Sequence, residues 1–273
     1  MELVAASKMR KSVGRVTTSR GYADAAWELV LNLLQRVDRS LHPLLAERPV
    51  NRVAIVLISS NRGLCGSFNL NTVSKAMKLI DKEGWNANMT VDFFTLGKKG
   101  SQILAALKKN VVSDYPKDDI TDTVGEVLPL ASELISSFTK GIYDEVCVVY
   151  THFISSLKQE ARVRYLLPLV KPSRYLGHIG QDEAAAVATT NDFLFEPSRD
   201  KILALLLPRL VEIQLYQTVL ESEASEHSAR MLAMHNATDA ATDMIEALTL
   251  AFNQARQAGI TAELAEISAG AAS

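Results

Sequence analysis

The segment SSNRGLCGSFNLN, at positions 59–71, has residues suited to chemistry: Gly63 and Gly66 flank Cys65 directly after an apolar run. It lacks the G-x-G-x-x-G fingerprint of a dinucleotide site. A P-loop needs a lysine directly after its last glycine, and the next lysine here is Lys75. The segment therefore does not predict a phosphate cradle.

Two interpretations of this segment remain. Cys65 could be a nucleophile on a strained turn, with His152, at the end of a later predicted strand, as its base at the same sheet edge. Alternatively, the segment is a structural strand-to-helix turn in which Gly63 and Gly66 allow positive φ or close backbone approach. On chemistry alone the turn is favoured.

Composition excludes several other classes. The chain has 273 residues, a formal net charge of −2 and a pI near 6.2, which argues against general nucleic-acid binding. Its two cysteines, Cys65 and Cys147, are far apart, and no cysteine or histidine cluster has zinc-like spacing. We predict no metal, no cofactor, no secretory signal and no membrane span.

The middle of the chain alternates apolar runs with amphipathic segments, which predicts strands alternating with helices. The run at 52–60 is almost continuously apolar, as in a strand buried on both faces. The fold class is therefore α/β, with a Rossmann-like domain around a mostly parallel five-stranded sheet and the last two strands paired as a hairpin. The predicted strands are 52–60, 88–97, 111–116, 144–153 and 159–170, and the helices are 69–84, 98–110 and 121–141.

Both flanks are predicted to be long helices. From Arg209 to Ala258 there is neither glycine nor proline, and such a stretch would form roughly 75 Å of uninterrupted helix. Along it, apolar and small residues recur at alternating steps of three and four, which predicts a coiled-coil seam. The seam runs from Leu203 to Ala255 and includes polar Gln217, His227 and Thr238.

The N-terminal flank provides a partner for this seam, because Ala23, Ala26, Val30, Leu33 and Val37 follow the same steps. One helix enters the α/β domain and the other leaves it, so we predict an antiparallel coiled coil. The predicted domains are an N-terminal shaft helix at 1–48, the α/β domain at 49–196 and a C-terminal shaft helix at 197–273.

Three separated segments carry a family resemblance: MELVAASKMRKS at the start, SNRGLCGSFN in the turn, and SEHSARMLAMHNATDAATDMIEALTLAFNQARQAGITAELAEISAGA at the end. With LFEPS before the last helix, they resemble the gamma subunit of F-type ATP synthase over essentially the whole chain. The resemblance implies a non-catalytic subunit, the central rotary shaft that couples proton flow through a membrane c ring to ATP synthesis.

The implied partners are three alpha and three beta subunits around the coiled coil, the epsilon subunit and the c ring. The resemblance also implies a peripheral position on a membrane. Because the sequence shows no transit-like leader, we expect the cytoplasmic face of a bacterial inner membrane rather than an organellar inner membrane. Positions that match beta-subunit contacts are Arg256, Gln257, Met1, Lys8 and Arg230, and positions that match a region near the c ring and epsilon are Phe195 and Glu196. A basic cluster at 8–20 suits an acidic segment of the beta subunit, although a solvated helix face would have the same composition.

Members of this family usually begin with a longer first helix. If the chain begins at Met1, we expect part of the last helix to lack a partner and the coupling to be weaker. Two other interpretations are a stand-alone thiol enzyme using Cys65 and His152, and a coiled-coil adaptor unrelated to ATP synthesis.

Overall fold

The computed structural model describes residues 1–34, 42–85, 89–169 and 199–271. In chain order, an α/β body lies between an N-terminal and a C-terminal long helix. The helices are α1 (Glu2–Leu34), α2 (Phe68–Glu83), α3 (Lys98–Ala106), α4 (Leu128–Thr139) and α5 (Arg199–Ala271). The strands are β1 (Arg52–Ile58), β2 (Thr90–Leu96), β3 (Val111–Tyr115), β4 (Glu145–Phe153) and β5 (Gln159–Leu167).

The five strands form one sheet in the order β3-β2-β1-β4-β5. Strands β1 to β4 are parallel to one another, and β5 pairs antiparallel with β4 as a hairpin. The predicted fold class is confirmed. The central β1 is buried from Val53 to Ile58, which explains why its sequence is apolar at every position rather than alternating.

Alternate residues of β1 enter two separate cores, because successive side chains of a strand point to opposite faces. Val53, Ile55 and Leu57 pack in a cluster with residues of α2 and α3. Ala54, Val56 and Ile58 pack in the other cluster, which includes residues of α4 and the first turns of α5. The beginning of α5 is therefore a core helix of the body.

Helix α5 extends on both sides of the stretch from Arg209 to Ala258 that lacks glycine and proline, and it contains Pro208. Proline removes a backbone hydrogen bond from a helix interior. Leu207 and Leu210 beside it are buried in the core of the body, so tertiary packing holds the helix together there. By length and composition α5 could cross a membrane, but half of its apolar 18-residue window is buried within the protein, as in a core helix.

Helices α1 and α5 run antiparallel, as predicted. Ser19 donates a hydrogen bond to Gln217 at 2.7 Å, whereas Glu2, near the other end of α1, lies 3.5 Å from His235. The seam positions of α5 from Leu203 to Met234 are buried or half-buried, and those from Thr238 to Ala255 are exposed. The structure does not describe the side chains of the predicted seam positions in the N-terminal flank, from Ala23 to Val37, so their part of the seam stays a prediction.

Candidate functional site

The carboxyl edge of the sheet is where an open α/β fold binds ligands, at the point where the strand order reverses. Here that point lies between β1 and β4. The 59–71 segment follows β1, and His152 lies at the end of β4. Helix α5 occupies this edge, because Ser225 donates a hydrogen bond to the Thr151 carbonyl at 3.1 Å and Glu221 lies 2.5 Å from His152.

Cys65 and His152 do not form a nucleophile–base pair. The buried Nδ1 of His152 binds the buried carboxylate of Glu221. The Cys65 thiol accepts a hydrogen bond from Asn69 at 3.3 Å and lies 3.7 Å from the Ser60 hydroxyl. A nucleophile needs its base within hydrogen-bond reach, and both groups already have other partners.

The turn after β1 is structural, although its details differ from the prediction. Positive φ values occur at Leu64 (62°) and Gly66 (57°). Gly63 has no positive φ, and a Cβ built there would meet nothing within 4 Å. The turn is instead fastened to α5, because Arg230 donates hydrogen bonds to the carbonyls of Arg62 and Gly63 at 3.2 and 3.4 Å.

A cleft of about 200 Å³ lies beside this turn. Its lining residues are Cys65, Gly66, Ser67, Phe68, Asn71, Thr151, Gln159, Ala161, Ala229, Leu232, Ala233 and Asn236. This lining includes no histidine, acid, lysine or arginine, so the cleft offers the thiol no general base. Within the described ranges, no group of three or more His, Cys, Asp or Glu side chains could hold a metal ion.

Every residue of α5 from Gln217 to Ser228 is buried, although the segment is rich in glutamate and serine. A seam helix buries one face and exposes the other, so burial on all sides is a departure from the predicted coiled coil. We name the groups that surround this segment the polar collar. They belong to the 59–63 turn, the 117–122 loop and the end of the β4–β5 hairpin at 151–159.

The 117–122 loop contributes the central ion pair of the polar collar. The Lys117 ammonium lies 2.6 Å from Glu226 Oε2 and donates to the Ser59 carbonyl at 3.1 Å. Arg230 binds the other carboxylate oxygen of Glu226 at 2.9 Å. Burial raises the pKa of Glu226, but the charge and hydrogen bond of Lys117, together with the Arg230 charge, outweigh burial, so the net pKa lies below its ordinary value. Glu226 is therefore ionised inside the protein.

The same loop binds two more residues of α5. Glu223 accepts hydrogen bonds from the Thr121 backbone N–H at 3.1 Å and from its hydroxyl at 2.5 Å, and burial raises the pKa of this glutamate. His227 Nε2 lies 2.9 Å from the Asp119 carbonyl. Burial lowers the pKa of His227. Its neutral form, with Nε2–H as donor, satisfies this contact.

The hairpin contributes the opposite side of the polar collar. Ser228 donates to the Ser156 carbonyl at 2.6 Å and accepts from the Gln159 amide at 3.1 Å. With the contacts of Ser225 and Glu221, these bonds join α5 directly to the ends of β4 and β5.

The 117–122 loop also binds α1, through residues of the basic cluster. Lys8 lies 2.7 Å from Asp119 and lowers the pKa of that carboxyl group, chiefly through this hydrogen bond. Arg15 pairs with Asp122 and donates to the Thr121 carbonyl at 2.9 Å. Lys8, which matches a family contact with a beta subunit, therefore also has a partner within the chain.

Other predicted contact residues lie at exposed ends of the two long helices. Met1 is 80% exposed at the start of α1. Arg256 and Gln257 are exposed near the end of α5. Phe195 and Glu196 lie outside the described residues. The contacts of all these residues with other subunits stay predictions, as does the contact of Arg230.

Removing one partner of the buried ion pair should destabilise the fold. We expect Lys117→Met to lower the free energy of unfolding by about 3–5 kcal/mol, because it leaves the Glu226 charge without its main partner. Lys117→Met with Glu226→Met should recover most of this loss. Urea unfolding of the purified chain, followed through the fluorescence of the buried Trp85, measures both effects, and equal stability of the two variants would contradict the assignment.

The lowered pKa of His227 makes stability depend on pH. The unfolded chain takes up a proton at this histidine more readily than the native chain, so stability is lost as pH falls below about 6.5. The raised pKa of Glu223 acts in the opposite direction at lower pH, because the native chain binds a proton at this carboxyl group more readily than the unfolded chain does. We therefore expect His227→Gln to reduce the loss between about pH 7.5 and 5.5. Urea unfolding of the wild type and the variant at several pH values isolates the effect. The same dependence of the unfolding free energy on pH in both proteins would refute it.

Comparisons with known proteins agree over the whole chain. The ATP synthase family matches residues 1–273. The ATP synthase gamma chain of Roseiflexus castenholzii is 39% identical over 274 residues, covering 100% of this chain and 90% of the relative. That of Legionella pneumophila is 33% identical over 273 residues, covering 100% and 91%.

Solved structures agree in fold. A chain in the central stalk and c ring of Tetrahymena thermophila mitochondrial ATP synthase aligns with a TM-score of 0.61 at 22% identity, covering 87% of this chain and 97% of that one. A chain in the rotor of Euglena gracilis mitochondrial ATP synthase has a TM-score of 0.56 at 16% identity, covering 95% and 98%. From its family match and its relatives, the chain belongs to the ATP synthase gamma family, the central stalk of the rotary enzyme.

Proposed function

We propose that this chain is the shaft that couples proton flow through a membrane c ring to ATP synthesis, without an active site of its own. The observation that carries the proposal is the form of α5. It is one helix, Arg199–Ala271, whose first part is enclosed by the α/β body and whose last part extends beyond it. A stiff element fixed at one end can transmit rotation to the other.

The exposed part of α5 has a large apolar surface, which in a stable protein marks an interaction site. Its large exposed side chains are each at least half exposed: Met244, Ile245, Leu248, Leu250, Phe252, Ile260, Leu264 and Ile267. This surface suits enclosure by a ring of alpha and beta subunits. In the structural relatives the matching chains lie in a central stalk or rotor.

The position of α5 across the strand-order reversal of the sheet supports a non-catalytic role. A substrate crevice at that edge would need the space that Glu221, Ser225 and Glu226 of α5 occupy. The thiol-enzyme alternative has little support, because its proposed base, His152, is buried against α5. The adaptor alternative is not favoured, because the family match covers the whole chain.

Coupling then follows from differential contact. A face of α5 that fits one beta-subunit conformation better shifts that subunit toward it, and the linkage is reciprocal, so ATP hydrolysis can turn the shaft. Arg256 and Gln257 are exposed where they can meet a beta-subunit loop, and arginine suits a carboxylate partner. Met1, Lys8 and Arg230 are proposed as further beta-subunit contacts, and Phe195 and Glu196 as contacts with the c ring and epsilon. In this proposal the chain lies on the cytoplasmic face of a bacterial inner membrane and is held there through the c ring.

Reconstitution tests the proposal. We expect the chain, combined with alpha, beta and epsilon subunits and the membrane sector in vesicles, to support ATP-driven proton uptake. Cys65→Ala should leave uptake unchanged, whereas the thiol-enzyme alternative requires this residue. Arg256→Ala with Gln257→Ala should lower the ATPase rate by about tenfold, the loss expected for a charge-assisted contact.

Glu263→Gln with Glu266→Gln, at two other exposed positions of the same helix end, is the matched control and should have little effect. A wild-type chain that does not assemble with alpha and beta subunits, or a complex that pumps equally well without it, would overturn the proposal.

A further inference from the structure

We propose that the polar collar fixes the rotational phase of α5 relative to the α/β body, so that torque passes between them at this point. The inference rests on the proposed shaft function. It assigns a positioning role in coupling to two pairs of residues, Glu226 and Lys117, and Ser225 and Ser228. They touch no substrate, and they act by preventing the helix from turning within the body.

The contacts of α5 fall on two opposite sides of the helix. At about 100° per residue, Glu221, Ser225 and Ser228 lie within an arc of about 60°. These three bind the β4–β5 hairpin through His152, the Thr151 carbonyl and the Ser156 carbonyl.

The second set faces the other way. Glu223, Glu226 and Arg230 lie within another arc of about 60°, centred roughly 160° from the first. They bind Thr121, Lys117 and the carbonyls of the 59–63 turn. The helix is therefore held between two walls, the β4–β5 hairpin on one side and the loops that follow β1 and β3 on the other, all connected to one sheet.

Helix α1 closes a third side. Leu220 and Ala224 lie between the two arcs and pack against Val16 of α1. Because the 117–122 loop also pairs with Lys8 and Arg15, the loop that holds α5 holds α1 as well. The 117–122 loop thus connects α1, α5 and the α/β body to one another.

Directional bonds are what resist rotation about the helix axis. Apolar packing depends on area and has little directional preference. A hydrogen bond weakens steeply away from its optimal angle, and a buried charge that loses its partner is strongly penalised. Turning α5 within the polar collar would break bonds on both walls at once, whereas the earlier apolar turns of α5 offer weaker resistance.

The test uses the reconstituted complex and measures two rates, ATP hydrolysis and ATP-driven proton uptake. One variant removes hydrogen bonds to the hairpin wall, Ser225→Ala with Ser228→Ala. The other replaces the loop-wall ion pair with apolar groups, Lys117→Met with Glu226→Met. The control makes the same apolar replacement of an ion pair on α5 outside the polar collar, Arg209→Met with Glu212→Met.

We expect each collar variant to assemble and hydrolyse ATP, and to lower proton uptake per ATP by at least about twofold. The Arg209/Glu212 control and Lys117→Arg, which keeps the charge, should retain the wild-type ratio. A wild-type ratio in both collar variants would overturn the proposal, even if their thermal stability fell, since a merely structural role lowers stability alone.

A proportional loss of both rates would also overturn it. If the ion-pair variant does not assemble, the serine variant decides. Failure of the wild-type complex to couple the two rates would instead count against the proposed function, which keeps the two claims separate.

Discussion

The ionised Glu226 carboxylate inside the protein is the constraint on which the arrangement depends. A buried charge requires a paired and hydrogen-bonded environment, and Lys117, Arg230 and their neighbours provide it. Lys117 comes from a loop beyond β3, and Arg230 also binds the turn after β1. One carboxylate thus connects the loops that follow β1 and β3 to the long helix, where that helix crosses the carboxyl edge of the sheet.

The location of the crossing gives a familiar fold an unusual use. In open α/β sheets the crevice at the strand-order reversal holds a ligand, and in this chain a segment of its own helix occupies that place. Ser225 and Glu221 bind the end of β4 there. The α/β body therefore encloses a long helix at the place where the fold alone would have suggested a nucleotide or substrate site.

Much of this architecture could be predicted from local patterns. The apolar run at 52–60 and the segment from Arg209 to Ala258 that lacks glycine and proline identified the central strand and the long helix. Burial of Glu223 and Glu226 could not be predicted, because their partners, Thr121 and Lys117, are about a hundred residues away in a loop with no regular pattern. A dense run of serine and glutamate inside an apolar-seamed helix was the available signal. Pro208 within α5 shows tertiary packing overriding local preference. The positive φ of Leu64, where glycine would be expected, has no explanation in the packing of its exposed side chain.

Amide hydrogen exchange along α5 tests the central claim most directly. The account predicts that residues 217–228 exchange slowly both in the isolated chain and in the complex with alpha and beta subunits, because the polar collar encloses them in each case. Residues 238–267 should exchange rapidly in the isolated chain and become protected in the complex. Equal protection of both segments in the isolated chain, or rapid exchange of 217–228, would contradict it.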